Sequence, residues 1–152
     1  MKRTLIIMLS LLLSFCALSA CGEKEYNIDK AKLASELAAS GNFLDTVAEI
    51  PAELISHFYQ IDSTTTAIMY KSSVATAEEI TIFEAADSKA AAKVLDTAKS
   101  YLETQAKIYD AYNATEAARL RGAIAKQYGK YVVVCVCNNN AGAEEIINEY
   151  FK

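Results

Sequence analysis

An α+β domain is predicted, with helices covering an antiparallel sheet of about four strands in two layers. Three observations predict it. Residues 88–112 carry apolar side chains at helical spacing, so one face of a long helix covers a sheet. Residues 77–85 alternate, with Ile80 and Ile82 on one face and Thr81 and Phe83 on the other, as a strand does. The run Val132-Val133-Val134-Cys135-Val136-Cys137 is apolar on both faces, as expected of a central strand. The order of helices, hairpin, long helix, hairpin and helix then gives a single domain over residues 27–152.

The elements follow in order. Asn27 or Asp29 can cap a first helix running to about Ser40, with Leu33, Ala34 and Leu37 as its apolar stripe and Gly41 as its terminator. Residues 43–50 are ambiguous, with an extended reading open. Pro51 suits the first position of a second helix, where its missing N–H is harmless, and Leu54, Ile55 and Phe58 are expected to face inward. Residues 64–72, rich in threonine and carrying Ile68 and Tyr70, read as a strand. A turn over residues 73–76 joins it to the strand at 77–85 as a hairpin.

Asp87 or Ser88 opens the long helix, in which Ala91, Val94, Leu95, Ala98, Leu102, Ile108 and Tyr112 share a face. Lys99, Glu103 and Lys107 stand four apart on its outside, as a solvated ion ladder. Asn113, followed three residues later by Glu116, resembles a capping box for a short helix. A strand over 122–127, a Gly129-Lys130 turn and the strand over 131–137 form the second hairpin. Asn138-Asn139-Asn140 breaks it, and a closing helix over 142–151 carries Ile146, Ile147 and Tyr150.

The N-terminus is of a different kind. Met1-Lys2-Arg3 is basic, and residues 5–18 are apolar apart from Ser10 and Ser14. That pattern is a secretory signal rather than part of the fold. The run is short of the about 20 residues that a membrane-spanning helix requires. Leu18-Ser19-Ala20-Cys21 closes it, with small residues for a narrow peptidase site followed by a thiol. The four residues resemble the lipobox of bacterial lipoproteins, which implies cleavage before Cys21 and a diacylglycerol on its sulfur, with N-acylation expected. Acyl chains contribute about 0.8 kcal/mol per buried methylene, and two chains suffice for stable anchoring. The expected organisation is therefore a signal at 1–20, a lipidated tether at 21–26 and the domain at 27–152.

Composition narrows the function classes. Removing residues 1–20 takes away Lys2 and Arg3 and no acid, so the net charge of −4 becomes more negative. An acidic chain of this kind argues against nucleic acid and against a polybasic grip on lipid headgroups. Of the four cysteines, only Cys135 and Cys137 fall within the domain, two apart on one strand face. A disulfide between such neighbours would distort the backbone, so the domain must rely on its core.

Candidate chemistry is sparse. His57 is the single histidine, and no Gly-x-Ser-x-Gly elbow or other nucleophile signature accompanies it. Cys135 and Cys137 can hold a soft metal or serve redox chemistry, with His57 as a third ligand; their valine surroundings favour a core role instead. Glu78-Glu79 and Glu144-Glu145 are paired in sequence, but adjacent residues point different ways and read as solvated charge. Asn113-Ala114-Thr115 matches a glycosylation triplet but reads as a helix cap. Nine tyrosines without a tryptophan suit half-wet contact positions.

Tyr70-Lys71, Ala77-Glu78-Glu79-Ile80-Thr81-Ile82-Phe83-Glu84, the helix through Tyr112-Asn113 and Gly129-Lys130-Tyr131-Val132-Val133 carry a further resemblance. Over most of residues 50–152 the chain resembles a family of bacterial lipoproteins catalogued as domain of unknown function 4358. That resemblance implies the outer leaflet of a Gram-positive cytoplasmic membrane and supplies no catalytic residues, cofactor or metal. The expectation is a non-enzymatic lipoprotein on the extracytoplasmic face of the cell membrane, binding an unidentified protein or small molecule. A small metal-binding or redox lipoprotein using Cys135 and Cys137 is the alternative; for a transporter's substrate-binding protein the chain is short of two lobes.

Overall fold

The computed structural model describes residues 24–72 and 76–152. The expected signal at 1–20, with Leu18, Ser19 and Ala20, lies outside the described residues, as do Cys21 and positions 73–75 of the hairpin turn. No helix among the described residues is long and apolar enough to cross a membrane.

Helix α1 (Lys30–Ala39) opens the domain, capped by Asp29, whose carboxylate accepts the Lys32 N–H at 3.0 Å. Gly41 ends the segment in the left-handed region at φ 74°, which glycine adopts without a Cβ clash. A short strand β1 (Val47–Glu49) and a one-turn helix α2 (Ala52–Ile55) follow. Strands β2 (Thr66–Ser72) and β3 (Glu79–Glu84) then precede helix α3 (Ser88–Asp110), capped by Asp87. Helix α4 (Ala114–Arg121), strands β4 (Ile124–Tyr128) and β5 (Tyr131–Val136), and helix α5 (Asn140–Tyr150) complete the chain.

The sheet has five strands in the order β1-β2-β3-β5-β4, every pair antiparallel. Both expected hairpins are present. In β3, Ile80 and Ile82 enter one core and Phe83 the other, as the alternation requires. The α+β class and the antiparallel sheet stand; strand count and layering differ from the expectation. The fifth strand, β1, comes from the ambiguous stretch, and helices cover both faces, which makes three layers. One core joins Phe83, Val132, Val134 and Val136 to Ile55 and Tyr59 of the α2 segment and to Ala91, Ala98 and Ala106 of α3. The other joins Ile80, Ile82, Val133 and Cys135 to Leu33 and Leu37 of α1 and Ile147 of α5. The β5 run, apolar on both faces, contributes to both cores.

Three local expectations fail for identifiable reasons. Pro51 is the N-cap of α2, and the helix stops after one turn, which leaves Leu54 43% exposed. Ile108 and Tyr112, placed on the apolar stripe of the long helix, are exposed: Ile108 is two residues from the fully buried Ala106 and so points away from it, and Tyr112 lies past the end of α3. Asn113 does cap α4, but Glu116 does not reach back to it and binds elsewhere.

The register gives the molecule two distinct ends. The β4–β5 turn, the end of β3 and the start of α3 lie at one, together with Phe151 and Tyr26. The start of β3, the end of β5 and the start of α5 lie at the other.

Candidate functional site: a carboxylate-locked end of the sheet

Three acidic side chains are buried where β3 begins: Glu78, Glu79 and Glu116. The reading of Glu78-Glu79 as solvated charge is therefore corrected, because both are shielded by the elements that bind them. The expectation that the pair diverges holds. Glu78 turns to the loop before β1, where its carboxylate accepts the N–H groups of Leu44 and Asp45 at 2.8 and 2.9 Å. The Thr76 hydroxyl donates to it at 3.1 Å. A carboxylate fed by backbone N–H groups fixes a loop more firmly than neutral hydrogen bonds would.

Glu79 turns to the other face. Its Oε1 accepts the Tyr59 hydroxyl and, at 2.8 Å, that of Thr81; its Oε2 accepts the Lys71 ammonium at 3.0 Å and the Tyr101 hydroxyl at 3.3 Å. Four donors on two oxygens tie the α2 segment, β2, β3 and α3 together. Lys71 stands 5.5 Å from the centre of the Phe58 ring, and the Tyr59 and Tyr101 rings are 4.4 Å apart. Burial pushes the Tyr59 and Tyr101 hydroxyls well above the ordinary tyrosine value, and the Glu79 charge pushes them further. Both keep their protons at neutral pH and serve as donors.

Glu116 completes the lock. It accepts the Ala77 N–H at 2.7 Å and pairs with the Arg119 guanidinium one turn along α4. The arrangement clamps the hairpin between loop and helix.

The residues singled out from the sequence are dispersed. His57 is exposed beyond α2, on the α3 side of the sheet, whereas Cys135 and Cys137 belong to the core on the α1 side. Both thiols are free, and the Cys137 thiol donates to Asn140 Oδ1 at 3.2 Å. The hydrogen bond to Cys137 and burial together push the Cys135 thiol well above its ordinary value. No group of three or more metal-ligating side chains occurs among the described residues. Glu144 pairs with Lys126 at 2.7 Å on the surface. Sequence reasoning did not anticipate Tyr59, Lys71 or Tyr101 as partners of Glu79, nor the burial of Glu116. A usable signal was present, since Lys71 and Glu79 occupy facing register positions of the hairpin.

A five-stranded antiparallel sheet with helices on both faces and an end closed by buried carboxylates defines an α+β domain held together by its own polar locks. The family model described as Domain of unknown function (DUF4358) matches residues 39–137, and the chain belongs to that family. No curated protein and no solved structure matches the chain. The matched stretch contains the whole sheet and the helices of the α3 face. Helix α5 and nearly all of α1, which cover the other face, lie outside it. The matched stretch alone is thus two-layered.

Proposed function

We propose that the protein is a membrane-anchored lipoprotein on the extracytoplasmic face of the cell membrane, acting as a non-enzymatic binding module. One observation carries the anchor: the apolar run ends in Leu18-Ser19-Ala20-Cys21, and polar sequence follows at once. Acyl chains on Cys21 hold the domain beside the bilayer, and no metal or catalytic cofactor is needed. Support for binding over catalysis comes from the closed carboxylates and from Leu44, Ile108 and Tyr112. These three are 64%, 51% and 68% exposed at or near the carboxylate-locked end. Large apolar side chains left in water suit contact with a partner protein.

Two measurements test this reading. Cys21→Ala is expected to leave uncleaved precursor and to abolish lipid labelling; unchanged labelling refutes the anchor. Crosslinking in intact cells, followed by pull-down of the lipidated protein, is expected to recover a discrete partner that a Tyr112→Ala/Ile108→Ala variant loses. Equal recovery with that variant refutes the contact surface.

A further inference from the structure

We propose that the end of the domain bearing the β4–β5 turn is its membrane-facing surface, and that phospholipid headgroups of the leaflet holding Cys21 fill the groove there. This rests on the lipoprotein reading above and deepens it.

The argument is one of reach. Lys24 is three residues after Cys21, so the two Cα atoms are at most about 11 Å apart. Lys24 is already laid against the domain: a Cβ on Gly129 would stand 3.1 Å from its carbonyl oxygen. Tyr26 holds it there. Its ring meets Phe151 edge-on at 5.3 Å and Tyr128 at 6.4 Å, while Tyr128 and Phe151 stack at 4.0 Å. The slack usually allowed to a lipoprotein tether is therefore taken up before the domain begins. The headgroup region on each side of a bilayer is about 5–8 Å deep, so a turn in contact with a residue at most about 11 Å from the acylated one is kept beside it.

At that end, an open groove of about 770 Å³ runs between the tether and the start of α3, with Lys24, Lys130, Glu25, Asp87 and Ala86 among its walls, so its charge is balanced. Helix α3 leads away from it for about 33 Å, and Ile108 and Tyr112 are carried to the far end. The chain balance is acidic, so contact is imposed by the short tether and not by charge attraction. The same pin that presents the groove to the bilayer holds the carboxylate-locked end outward.

The test uses full-length lipidated protein in phosphatidylcholine–phosphatidylglycerol vesicles containing a headgroup-spin-labelled lipid. A fluorophore is attached through Ala86→Cys in the groove or through Ala111→Cys at the far end of α3, both exposed positions. Several-fold stronger quenching at position 86 is expected, and in a Tyr26→Ala background the two positions converge. Equal quenching in lipidated wild-type background overturns the orientation alone, and an unchanged ratio with Tyr26→Ala overturns the role of the aromatic pin. A wild-type chain purified without lipid mass overturns the anchor, and this proposal with it.

Discussion

The Tyr59 hydroxyl, almost wholly removed from water, donates to the Glu79 carboxylate on the neighbouring sheet strand. It is one of four donors on that carboxylate, so the two residues are expected to be coupled energetically. Tyr59→Phe removes one charge-assisted hydrogen bond and keeps the ring contacts with Phe83 and Tyr101; a loss of about 1.5–3 kcal/mol is expected. Glu79→Ala leaves the Lys71 ammonium and two tyrosine hydroxyls facing an empty space, and about 3–5 kcal/mol is expected. The double variant should lose clearly less than the sum in urea denaturation. Additive losses would show that the contact does not bind α2 to the sheet.

Glu84 gives a pH signature. Hydrogen bonds from Lys130 and then Lys30, at 2.7 and 3.0 Å, hold its carboxyl down at about 2. Its folded value lies below the unfolded one, so its contribution is fully present above about pH 4.5 and fades as pH falls toward 2. The site is partly open to solvent, so the contribution is under about 1 kcal/mol. Glu84→Gln is expected to flatten the acid limb of a stability–pH curve between pH 5 and 2, as followed by thermal unfolding. An acid limb as steep as wild type in that variant would locate the pH dependence elsewhere.

The sequence was most readable where one period dominated. The Val132–Cys137 run, the Ile80/Ile82 alternation and the Ala91–Leu102 stripe each have one physical solution, and the structure adopts it. Strand β1 escaped because a three-residue edge strand has too few positions to show a period. Ile108 and Tyr112 were placed on the stripe as apolar residues, yet Ile108 lies on another helix face than the buried Ala106, and Tyr112 lies past the helix end. Glu78 and Glu79 were misjudged because burial of a carboxylate depends on donors supplied from distant segments: Leu44, Tyr59 and Tyr101. Such partners leave no local pattern, and only the facing register of Lys71 and Glu79 hinted at them.

Cys135 and Cys137 are placed as core thiols, 0% and 4% exposed. The native protein is expected to resist iodoacetamide at neutral pH and to take up two equivalents at these positions once unfolded in urea, as read by mass spectrometry. Cys135→Ser, which puts a hydroxyl among Val133, Ile80 and Ile124, should lose about 1–3 kcal/mol without altering partner capture. Rapid alkylation of the folded protein, or copper or zinc retained in equimolar amount after purification, would favour the metal or redox reading instead.

Gly129 and Gly41 both sit at positive φ, 54° and 74°, so alanine at either position meets the left-handed strain of about 1–2 kcal/mol. Their surroundings differ. A Cβ at Gly41 meets nothing within 4 Å, whereas one at Gly129 stands 3.1 Å from the Lys24 carbonyl oxygen and 3.4 Å from the Tyr26 ring. The Gly129 contacts belong to the tether, which can yield where a packed core cannot. Gly129→Ala is therefore expected to loosen the tether as well as to strain the turn. Amide exchange at Tyr26 and Asn27 should accelerate, and protease cleavage after Lys24 should rise. Gly41→Ala should lower global stability by a similar amount and leave exchange at the tether as it is in wild type. If the two variants proved alike at residues 24–27, the close approach of tether to turn would have no energetic weight, and the aromatic contacts of Tyr26 alone would have to hold the chain in place.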